Sequence, residues 1–112
     1  MSLPHPLPDD LADLIARRFR AVGEPMRIRL LDRLRDGEAT DGELSAAVGA
    51  SQQNVSRHLA VLAEAGILGR RKEGTHVVYR IADESVLRLC EDVCGSLELQ
   101  LRALSALVGS GS

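Results

Sequence analysis

Apolar residues recur at helical spacing through the first third of the chain. Their pattern predicts one helix from about Asp9 to Val22 and a second that begins at Pro25 and ends before Asp36. A proline suits the first turn of a helix, because the amide proton that it lacks would have no helical partner there. The apolar positions that predict these two helices are Leu11, Leu14, Ile15, Phe19, Val22, Ile28, Leu30, Leu31 and Leu34.

Capping signals mark two further helices in the middle of the chain. Thr40 and Glu43 have the spacing of a capping box, in which a hydroxyl and a carboxylate each satisfy an unpaired amide at a helix start. The third helix that they begin is short and ends at about Val48. After a glycine-containing turn, Ser51 is a good N-cap for a fourth helix that runs to about Ala65. Together the two helices predict a helix-turn-helix.

Period-two alternation replaces the helical pattern after the fourth helix. Residues 70–75 supply a charged strand end and a turn that contains Gly74. A basic β-hairpin directly after a helix-turn-helix is typical of the wing of a winged helix. The residues that alternate along the second strand are, on one face, Val77, Tyr79 and Ile81 and, on the other, His76, Val78 and Arg80.

These elements predict a mainly α domain with a small β-hairpin, that is, a winged helix-turn-helix of about five helices and a two-stranded wing. A chain of 112 residues is long enough for one domain, which we place at residues 9–108 between a flexible N-terminal segment, 1–8, and a flexible tail, 109–112. One Phe, one Tyr and no Trp leave an aliphatic core. Small aliphatic domains often complete their burial in an oligomer.

Net charge changes sign along the chain and is positive only where the wing and the fourth helix lie, the latter being the recognition helix of the predicted helix-turn-helix. The whole chain carries −2, but residues 51–82 hold five Lys or Arg against two Asp or Glu, whereas residues 83–112 hold two against five. Positive charge on a recognition helix and wing lies where DNA phosphates would be met. This placement favours a nucleic-acid partner over charges that only solvate a surface.

The fourth helix has one apolar and one polar face. At about 100° per residue, Val55, Leu59 and Leu62 share the first face, and Gln53 and Arg57 lie on the opposite one. Glutamine and arginine side chains make bidentate contacts to adenine and guanine edges, respectively, so this polar face suits a DNA groove. The residues of this helix that we expect to contact DNA are Ser51, Gln52, Gln53, Asn54, Ser56 and Arg57.

Two other groups of side chains are candidates for the DNA surface. His58 lies about 60° from the centre of the buried face, which leaves two interpretations: a phosphate contact, or a half-buried histidine bonded to a neighbouring helix. In the wing, Arg70, Arg71, Lys72 and His76 are expected to reach the DNA backbone or the minor groove. The alternative for these four residues is a solvated edge hairpin.

Three stretches of the sequence resemble the ArsR/SmtB family of bacterial transcriptional repressors. They are residues 23–31 (GEPMRIRLL), residues 51–68 (SQQNVSRHLAVLAEAGIL) and residues 71–81 (RKEGTHVVYRI). The resemblance extends over about residues 10–105. It implies a homodimer whose first and last helices pair, an operator with dyad symmetry, and release from DNA when an inducer binds.

Two inducer sites of that family are not matched in this sequence. The arsenic-type site places a Cys-x-Cys near the start of the helix before the recognition helix, and residues 43–48 contain no cysteine. The zinc-type site on the last helix is matched by Asp83 alone, because Ser85, Ser96 and Leu99 stand at its other positions. The resemblance therefore does not name the inducer.

The last helix instead carries two cysteines, Cys90 and Cys94, which are four residues apart and project from the same side. One interpretation is a sensor, in which the thiolates hold a soft metal(loid) ion such as As(III) or Cd(II), or undergo a redox reaction. The other is packing, because both cysteines fall on apolar stripes of the helix, where a thiol packs as a small apolar group.

The sequence thus predicts a sequence-specific DNA-binding transcriptional regulator, a homodimeric repressor that an inducer at Cys90 and Cys94 releases from double-stranded operator DNA. A regulator without a cysteine sensor and a winged helix that contacts only proteins are the alternatives. No phosphate loop, metal-hydrolase pattern or nucleophile elbow is present, so no enzyme is expected. The start of the chain has no targeting pattern, and no stretch approaches the roughly 20 apolar residues of a membrane span, which predicts a cytoplasmic protein.

Overall fold

Five α-helices and a three-stranded antiparallel sheet make up the computed structural model, which describes residues 2–110. The five predicted helices are confirmed, and the first four begin and end within a residue or two of the predicted positions. In chain order the elements are α1 (Asp9–Val22), α2 (Pro25–Leu34), β1 (Ala39–Thr40), α3 (Asp41–Val48), α4 (Gln52–Glu64), β2 (Leu68–Glu73), β3 (His76–Ile81) and α5 (Ser85–Ser110).

Side-chain caps delimit the helix-turn-helix as its sequence predicts. At the start of α3, the Thr40 hydroxyl accepts from the Glu43 amide at 3.1 Å, and the Glu43 carboxylate accepts from the Thr40 amide at 3.0 Å. At the start of α4, the Ser51 hydroxyl accepts from the Asn54 amide at 3.2 Å. Between the two helices, Gly49 takes the left-handed conformation at φ 67°, which lets the chain turn tightly. Each helix therefore begins where its first amides find a partner.

The sheet has one strand more than the predicted two-stranded wing. Strand β1 consists only of Ala39 and Thr40 and pairs with β3, so that the strand order is β1-β3-β2 and both pairings are antiparallel. Ala39 lies opposite Tyr79, and Thr40 lies opposite Val78. Two residues are too few to show a period of two, and the sequence therefore does not reveal β1.

Burial in β3 departs from the predicted alternation. Val78 and Tyr79 are adjacent in the chain, yet only 8% and 5% of their surfaces are exposed. Tyr79 packs in the main hydrophobic core, whereas Val78 projects from the other face, between Thr40 of β1 and Arg71 of β2. Because β3 is the central strand, Val78 has a neighbour on each side, and its face is shielded more than in an isolated hairpin.

The hydrophobic core lies between helices α2, α3 and α4 and the sheet. Helix α4 contributes Val55, Leu59 and Leu62, all at 0% exposure, which confirms its predicted apolar face. Burial on this scale holds α4 from one side and leaves its polar side outward. The other buried hydrophobic residues are Ala21, Val22, Leu30, Leu31, Leu34, Ala39, Leu44, Ile67, Leu68, Val78, Tyr79 and Val86.

Helix α5 extends well beyond this core. It has 26 residues, which makes it about 39 Å long, and every residue from 96 to 109 is exposed. The chain is correspondingly elongated, because its radius of gyration is 17.5 Å, against about 13 Å for a compact domain of this size. Although α5 is long, neither it nor any other helix within residues 2–110 is apolar enough to cross a membrane.

Helix α5 extends beyond the predicted C-terminal end of the domain. It includes residues 109 and 110, which the sequence analysis assigns to the tail, and the flexibility of that tail stays a prediction. A helix that has already formed gains one hydrogen bond for each further residue, so it continues through Gly109 near its end. Residues 111–112 of the predicted tail, and Met1 of the predicted N-terminal segment, lie outside the described residues. Residues 2–8 form no helix or strand, and their flexibility stays a prediction.

An ion pair joins α1 to the start of α5. Arg18 Nη1 donates to Asp83 Oδ2 at 2.6 Å, and the Asp83 carboxylate also accepts from the Ser85 amide at 3.0 Å. The hydrogen bonds from Ser85 and the nearby charge of Arg18 hold the pKa of Asp83 below its usual value. Asp83 therefore anchors α1 and the first residue of α5 to the same point.

Candidate nucleic-acid interface

The outward face of α4 presents four of the polar side chains that the sequence predicts for DNA contact. Ser51, Gln53, Asn54 and Arg57 line one shallow depression on the N-terminal half of the helix. The opposite face of the helix is completely buried in the core. The polar side chains are therefore presented on a rigid support, as the readout of base edges requires. Ser56, the next polar residue, is only partly exposed at the flank.

Arg57 is oriented by Asn54, three residues before it. Its Nη2 donates to Asn54 Oδ1 at 2.6 Å. A guanidinium carries five N–H donors, so four of them stay available for a base edge, together with the amide donors of Asn54. Two residues that the sequence predicts as separate contacts thus form a pair before any DNA is present.

Asp41, the first residue of α3, lies between the recognition helix and the wing. Its Oδ2 accepts from Gln52 Nε2 at 3.1 Å, and its Oδ1 is 4.0 Å from His76 Nδ1. Gln52 and His76 are both predicted DNA contacts, and the structure places both beside this carboxylate. A phosphate reaches either side chain only in competition with Asp41. Nothing in the sequence signals this junction, because its members are distant along the chain.

His58 faces a neighbouring helix. Its side chain is 16% exposed, and Nδ1 lies 3.4 Å from Arg27 Nη1 and 3.7 Å from Glu24 Oε2. Glu24 caps the start of α2, where its carboxylate accepts from the Arg27 amide at 3.1 Å. Of the two interpretations that the sequence leaves open, this is the half-buried histidine bonded to a neighbouring helix. His58 thereby links the recognition helix to the turn between α1 and α2.

Arg71 in the wing is held by two carboxylates. Its guanidinium binds Glu38 through two hydrogen bonds of 2.6 and 3.1 Å and lies 3.1 Å from Glu73. The bond to Glu38 raises the pKa of Arg71 and lowers the pKa of Glu38. A phosphate would have to displace both carboxylates, so Arg71 is better placed to brace the wing than to hold DNA.

Arg70 and Lys72 occupy the other face of β2. Successive residues of a strand point to opposite sides, so the basic run that the sequence presents as one group is divided in two. Both side chains are exposed, and within residues 2–110 neither takes part in an ion pair. Unlike Arg71, these two wing cations are therefore not neutralised by a carboxylate within residues 2–110.

Arg80 is a basic residue at this surface that the sequence pattern did not single out. It pairs with Gly69 across the wing, and its guanidinium lies over that glycine, where an added Cβ would be 2.6 Å from Arg80 Cζ. The absence of a side chain at residue 69 makes room for the guanidinium. A glycine opposite an arginine in the hairpin register is the signal that could have revealed this contact.

The two cysteines lie where α5 leaves the core. Cys90 is partly buried and packs against the core, whereas Cys94 is exposed. Both line two grooves along α5, one against α2 and the other against the end of α1. Burial raises the pKa of the Cys90 thiol. No group of three or more His, Cys, Asp or Glu side chains within residues 2–110 is placed to share a metal ion.

The arrangement as a whole defines a class of protein. A short helix and a tight turn present α4, a basic hairpin flanks it, and its outward face carries side chains that suit base edges. This is a winged helix-turn-helix of the DNA-binding type.

Comparisons with known proteins give the same class. A family model described as "Helix-turn-helix domain" matches residues 22–71. The HTH-type transcriptional regulator KmtR of Mycobacterium tuberculosis is 37% identical over 95 residues, which cover 85% of this chain and 73% of that protein. The HTH-type transcriptional repressor SmtB of Mycobacterium tuberculosis is 32% identical over 91 residues, which cover 81% of this chain and 67% of that protein.

A solved structure adds agreement in three dimensions. The homodimeric winged helix-turn-helix DNA-binding domain of a possible ArsR-family transcriptional regulator from Mycobacterium bovis matches with a TM-score of 0.73 and 34% identity, covering 82% of this chain and 85% of that one. The chain belongs to the ArsR/SmtB family of transcriptional repressors, which act by binding DNA. The family resemblance and the regulatory function predicted from the sequence are thereby confirmed.

Proposed function

We propose that this chain represses transcription as a homodimer that binds double-stranded operator DNA through α4 and the wing. The observation that carries the proposal is the outward set of Ser51, Gln53, Asn54 and Arg57 on a helix whose other face is entirely buried. Base readout needs such donors and acceptors at fixed positions, whereas a solvated surface does not.

The proposed contacts divide between bases and phosphates. Gln53 and Arg57 read base edges in the major groove, and Asn54 orients Arg57. Arg70 and Lys72 hold the flanking backbone, because they are exposed cations without an ion-pair partner within residues 2–110. Ser51 lies beside these base contacts, and Gln52, Ser56 and His76 make further contacts at the edges of this surface. His58 and Arg71 instead support the surface from within the chain, through Glu24 and Arg27 and through Glu38 and Glu73, respectively.

The homodimer is proposed from the exposed apolar faces of α1 and α5. Phe19 of α1 is 54% exposed, and Leu97, Leu101 and Leu104 of α5 are 53%, 64% and 58% exposed. Contiguous apolar surface of this kind on a small domain marks an interface. The homodimeric neighbour from Mycobacterium bovis supports a second copy as the occupant. Twofold pairing would set the two α4 helices about 34–36 Å apart, one turn of DNA.

The proposed inducer site is formed by Cys90 and Cys94. These thiols lie beside the exposed faces of α1 and α5, so a ligand bound there biases the dimer between arrangements that fit DNA and those that do not. A soft metal(loid) ion such as As(III) or Cd(II), or a thiol oxidant, has the required chemistry. The second candidate is a repressor with the same DNA contacts and no cysteine sensor, which the core packing of Cys90 favours.

Selection from a random duplex library, followed by fluorescence anisotropy, tests the DNA part of the proposal. We expect a site with dyad symmetry and an affinity whose logarithm falls linearly with the logarithm of salt concentration. Binding that lacks both sequence preference and salt dependence would contradict the proposal and favour a protein-contact module. Sedimentation at micromolar concentration tests the dimer, and a monomer there would contradict it. Adding As(III), Cd(II) or an oxidant to the DNA complex tests the inducer.

A further inference from the structure

The spacing of the two cysteines restricts which thiol chemistry is open to them. Cys90 and Cys94 are the chain's two cysteines and lie one turn apart within α5, which is a continuous helix from Ser85 to Ser110. Cβ atoms four residues apart on a helix are about 5–6 Å from each other, whereas a disulfide needs about 3.5–4.5 Å. A direct bond between the two sulfurs would therefore require α5 to unwind.

A ligand atom between the sulfurs removes this conflict. Thiolate–metal bonds are about 2.3 Å long, so sulfurs on opposite sides of one ion lie about 4.6 Å apart, compared with about 2.05 Å in a disulfide. That separation is close to the spacing of the Cβ atoms in an intact helix. The pair therefore fits a single bridging atom held in a nearly linear S–X–S arrangement.

The number of thiols selects among bridging ions. Zinc completes a tetrahedral site with four ligands, and each protomer supplies two cysteines. A two-coordinate soft cation is satisfied by two thiolates alone and prefers sulfur to oxygen ligands. The class of ligand that this pair suits is therefore a two-coordinate thiophilic cation, for which Hg(II) is the direct probe.

The groove between α2 and α5 gives such a cation access to both sulfurs. It has a volume of about 530 Å³, and both cysteines line it. Its charged lining consists of three carboxylates and two guanidiniums, which gives a small excess of negative charge and draws cations toward the thiols. The groove runs along the α2 side of α5, so the thiols can be reached without passing through the α1 side. The charged residues are Asp32, Glu91, Glu98, Arg29 and Arg35.

We infer that each protomer binds one two-coordinate thiophilic cation, represented by Hg(II), between Cys90 and Cys94, and that the pair does not work as an intrachain disulfide switch. Binding breaks two S–H bonds, forms two S–Hg bonds and releases two protons to solvent. No electron is transferred. The inference deepens the proposed function, on which it rests only for the effect on DNA, because binding of the ion itself requires no operator.

Anaerobic titration of the reduced 112-residue chain with Hg(II) alone tests the site. We expect one ion per protomer by native mass spectrometry, release of two protons per ion, and the ultraviolet absorption of a mercury–thiolate bond. Cys90→Ser and Cys94→Ser should each weaken binding by at least about 100-fold, because the second sulfur then no longer acts at high effective concentration. One ion per dimer, or binding that neither substitution weakens, would overturn the inference.

Two matched variants test the spacing without changing the number of thiols. Cys94→Ser with Asp92→Cys places the sulfurs two residues apart, on different sides of α5, and tight binding should be lost. Cys90→Ser with Glu98→Cys restores a spacing of four residues one turn further along, and tight binding should return. Residues 92 and 98 are both exposed, so neither change disturbs the core. Equal binding by the two variants would contradict the geometric argument.

An oxidant tests whether Cys90 and Cys94 form an intrachain disulfide, which the inference excludes. After treatment with diamide, we expect protomers that retain their full mass or gain links between chains or to added thiols. Rapid and complete loss of two mass units within one chain would overturn the inference. The DNA assay is a separate test. If one ion binds per protomer but does not release DNA, the metal site is supported and its role as the inducer site is refuted. If the chain does not bind DNA at all, the proposed function is refuted, and the Hg(II) titration still decides whether the metal site exists.

Discussion

Helices α4 and α5 have the same kind of apolar periodicity, but their apolar faces end in opposite environments. Leu59 on the inner face of α4 is 0% exposed, whereas Leu101 on α5 is 64% exposed. The difference lies in the neighbours, because α4 is surrounded by elements of its own chain and the distal half of α5 is not. A periodic apolar face thus shows that a helix needs a partner, and it does not show whether the same chain supplies it.

Matched leucine truncations break this comparison most directly. Leu59→Ala should lower the free energy of unfolding by about 2–5 kcal/mol at every protein concentration, because it leaves a cavity in a closed core. Leu101→Ala should change the unfolding of the dilute monomer by no more than about 0.5 kcal/mol. Its effect should appear instead as weaker dimerisation, measured by sedimentation and by the dependence of Tm on concentration. A large concentration-independent loss from Leu101→Ala would show that α5 is stabilised within one chain.

The outer face of α4 sharpens the comparison within one helix. Arg57→Ala, two residues from Leu59, should leave Tm unchanged and cost about 1–3 kcal/mol in operator binding, because a bidentate base contact is lost. The Arg57→Ala variant should also lose its sequence preference at one base pair in each half-site of the operator. Arg57→Lys is the control, since it keeps the charge but not the planar pair of donors. Equal losses on operator and random DNA for both variants would contradict base readout by Arg57.

Two adjacent wing residues extend the comparison from apolar faces to charges. Lys72 lies without an ion-pair partner within residues 2–110, whereas Arg71 is held by Glu38 and Glu73. Lys72→Ala should weaken binding to all sequences alike and reduce the salt slope by about 1. Arg71→Ala should leave the slope nearly unchanged, because that charge is already neutralised. Identical slopes for the two variants would show that DNA displaces Glu38 from Arg71.

The smallest expected effect concerns the ion pair that joins α1 to α5. Asp83→Asn keeps an acceptor for Ser85 and removes the charge that attracts Arg18, so it should cost about 0.2–1 kcal/mol at neutral pH. Because folding lowers the pKa of Asp83, its stabilisation is complete above the unfolded pKa, about 3.9, and is lost as pH falls through the lower folded pKa. The melting curves of the two proteins should therefore approach each other as the pH falls below about 4. Glu84→Gln, at an exposed neighbour, is the control. A gap that does not narrow as the pH falls below about 4 would exclude a charge effect.

Sequence reasoning succeeded where the determinants are local. Thr40, Glu43 and Ser51 cap helices through residues three positions away, so their spacing alone predicts where α3 and α4 begin. The buried face of α4 follows from periodicity in the same way. The class of fold and the outward position of Arg57 were therefore accessible before any coordinates.

Sequence reasoning failed where a contact joins distant segments. Strand β1 is too short to show a pattern, and its pairing with β3 was missed. Arg71 belonged to an apparently uniform basic run until its bond to Glu38, 33 residues away, separated it from its neighbours. The sequence allows two interpretations of His58, because its partners Glu24 and Arg27 lie at the start of another helix. Each of these outcomes depends on tertiary neighbours that no window of the sequence contains.

The two bonds of Thr40 bear on how such a repressor would dissociate from DNA. The backbone of Thr40 pairs with Val78 of the wing, and its hydroxyl caps α3. One residue therefore connects the hairpin to the helix-turn-helix. The helix-turn-helix and the wing of one protomer should then move as a single rigid unit, with little independent motion of the wing. In the proposed dimer, an inducer bound at α5 would therefore act on the distance and the tilt between two such units. Because DNA has a fixed helical repeat, a small change in the distance between the two units would move one α4 helix away from its major groove.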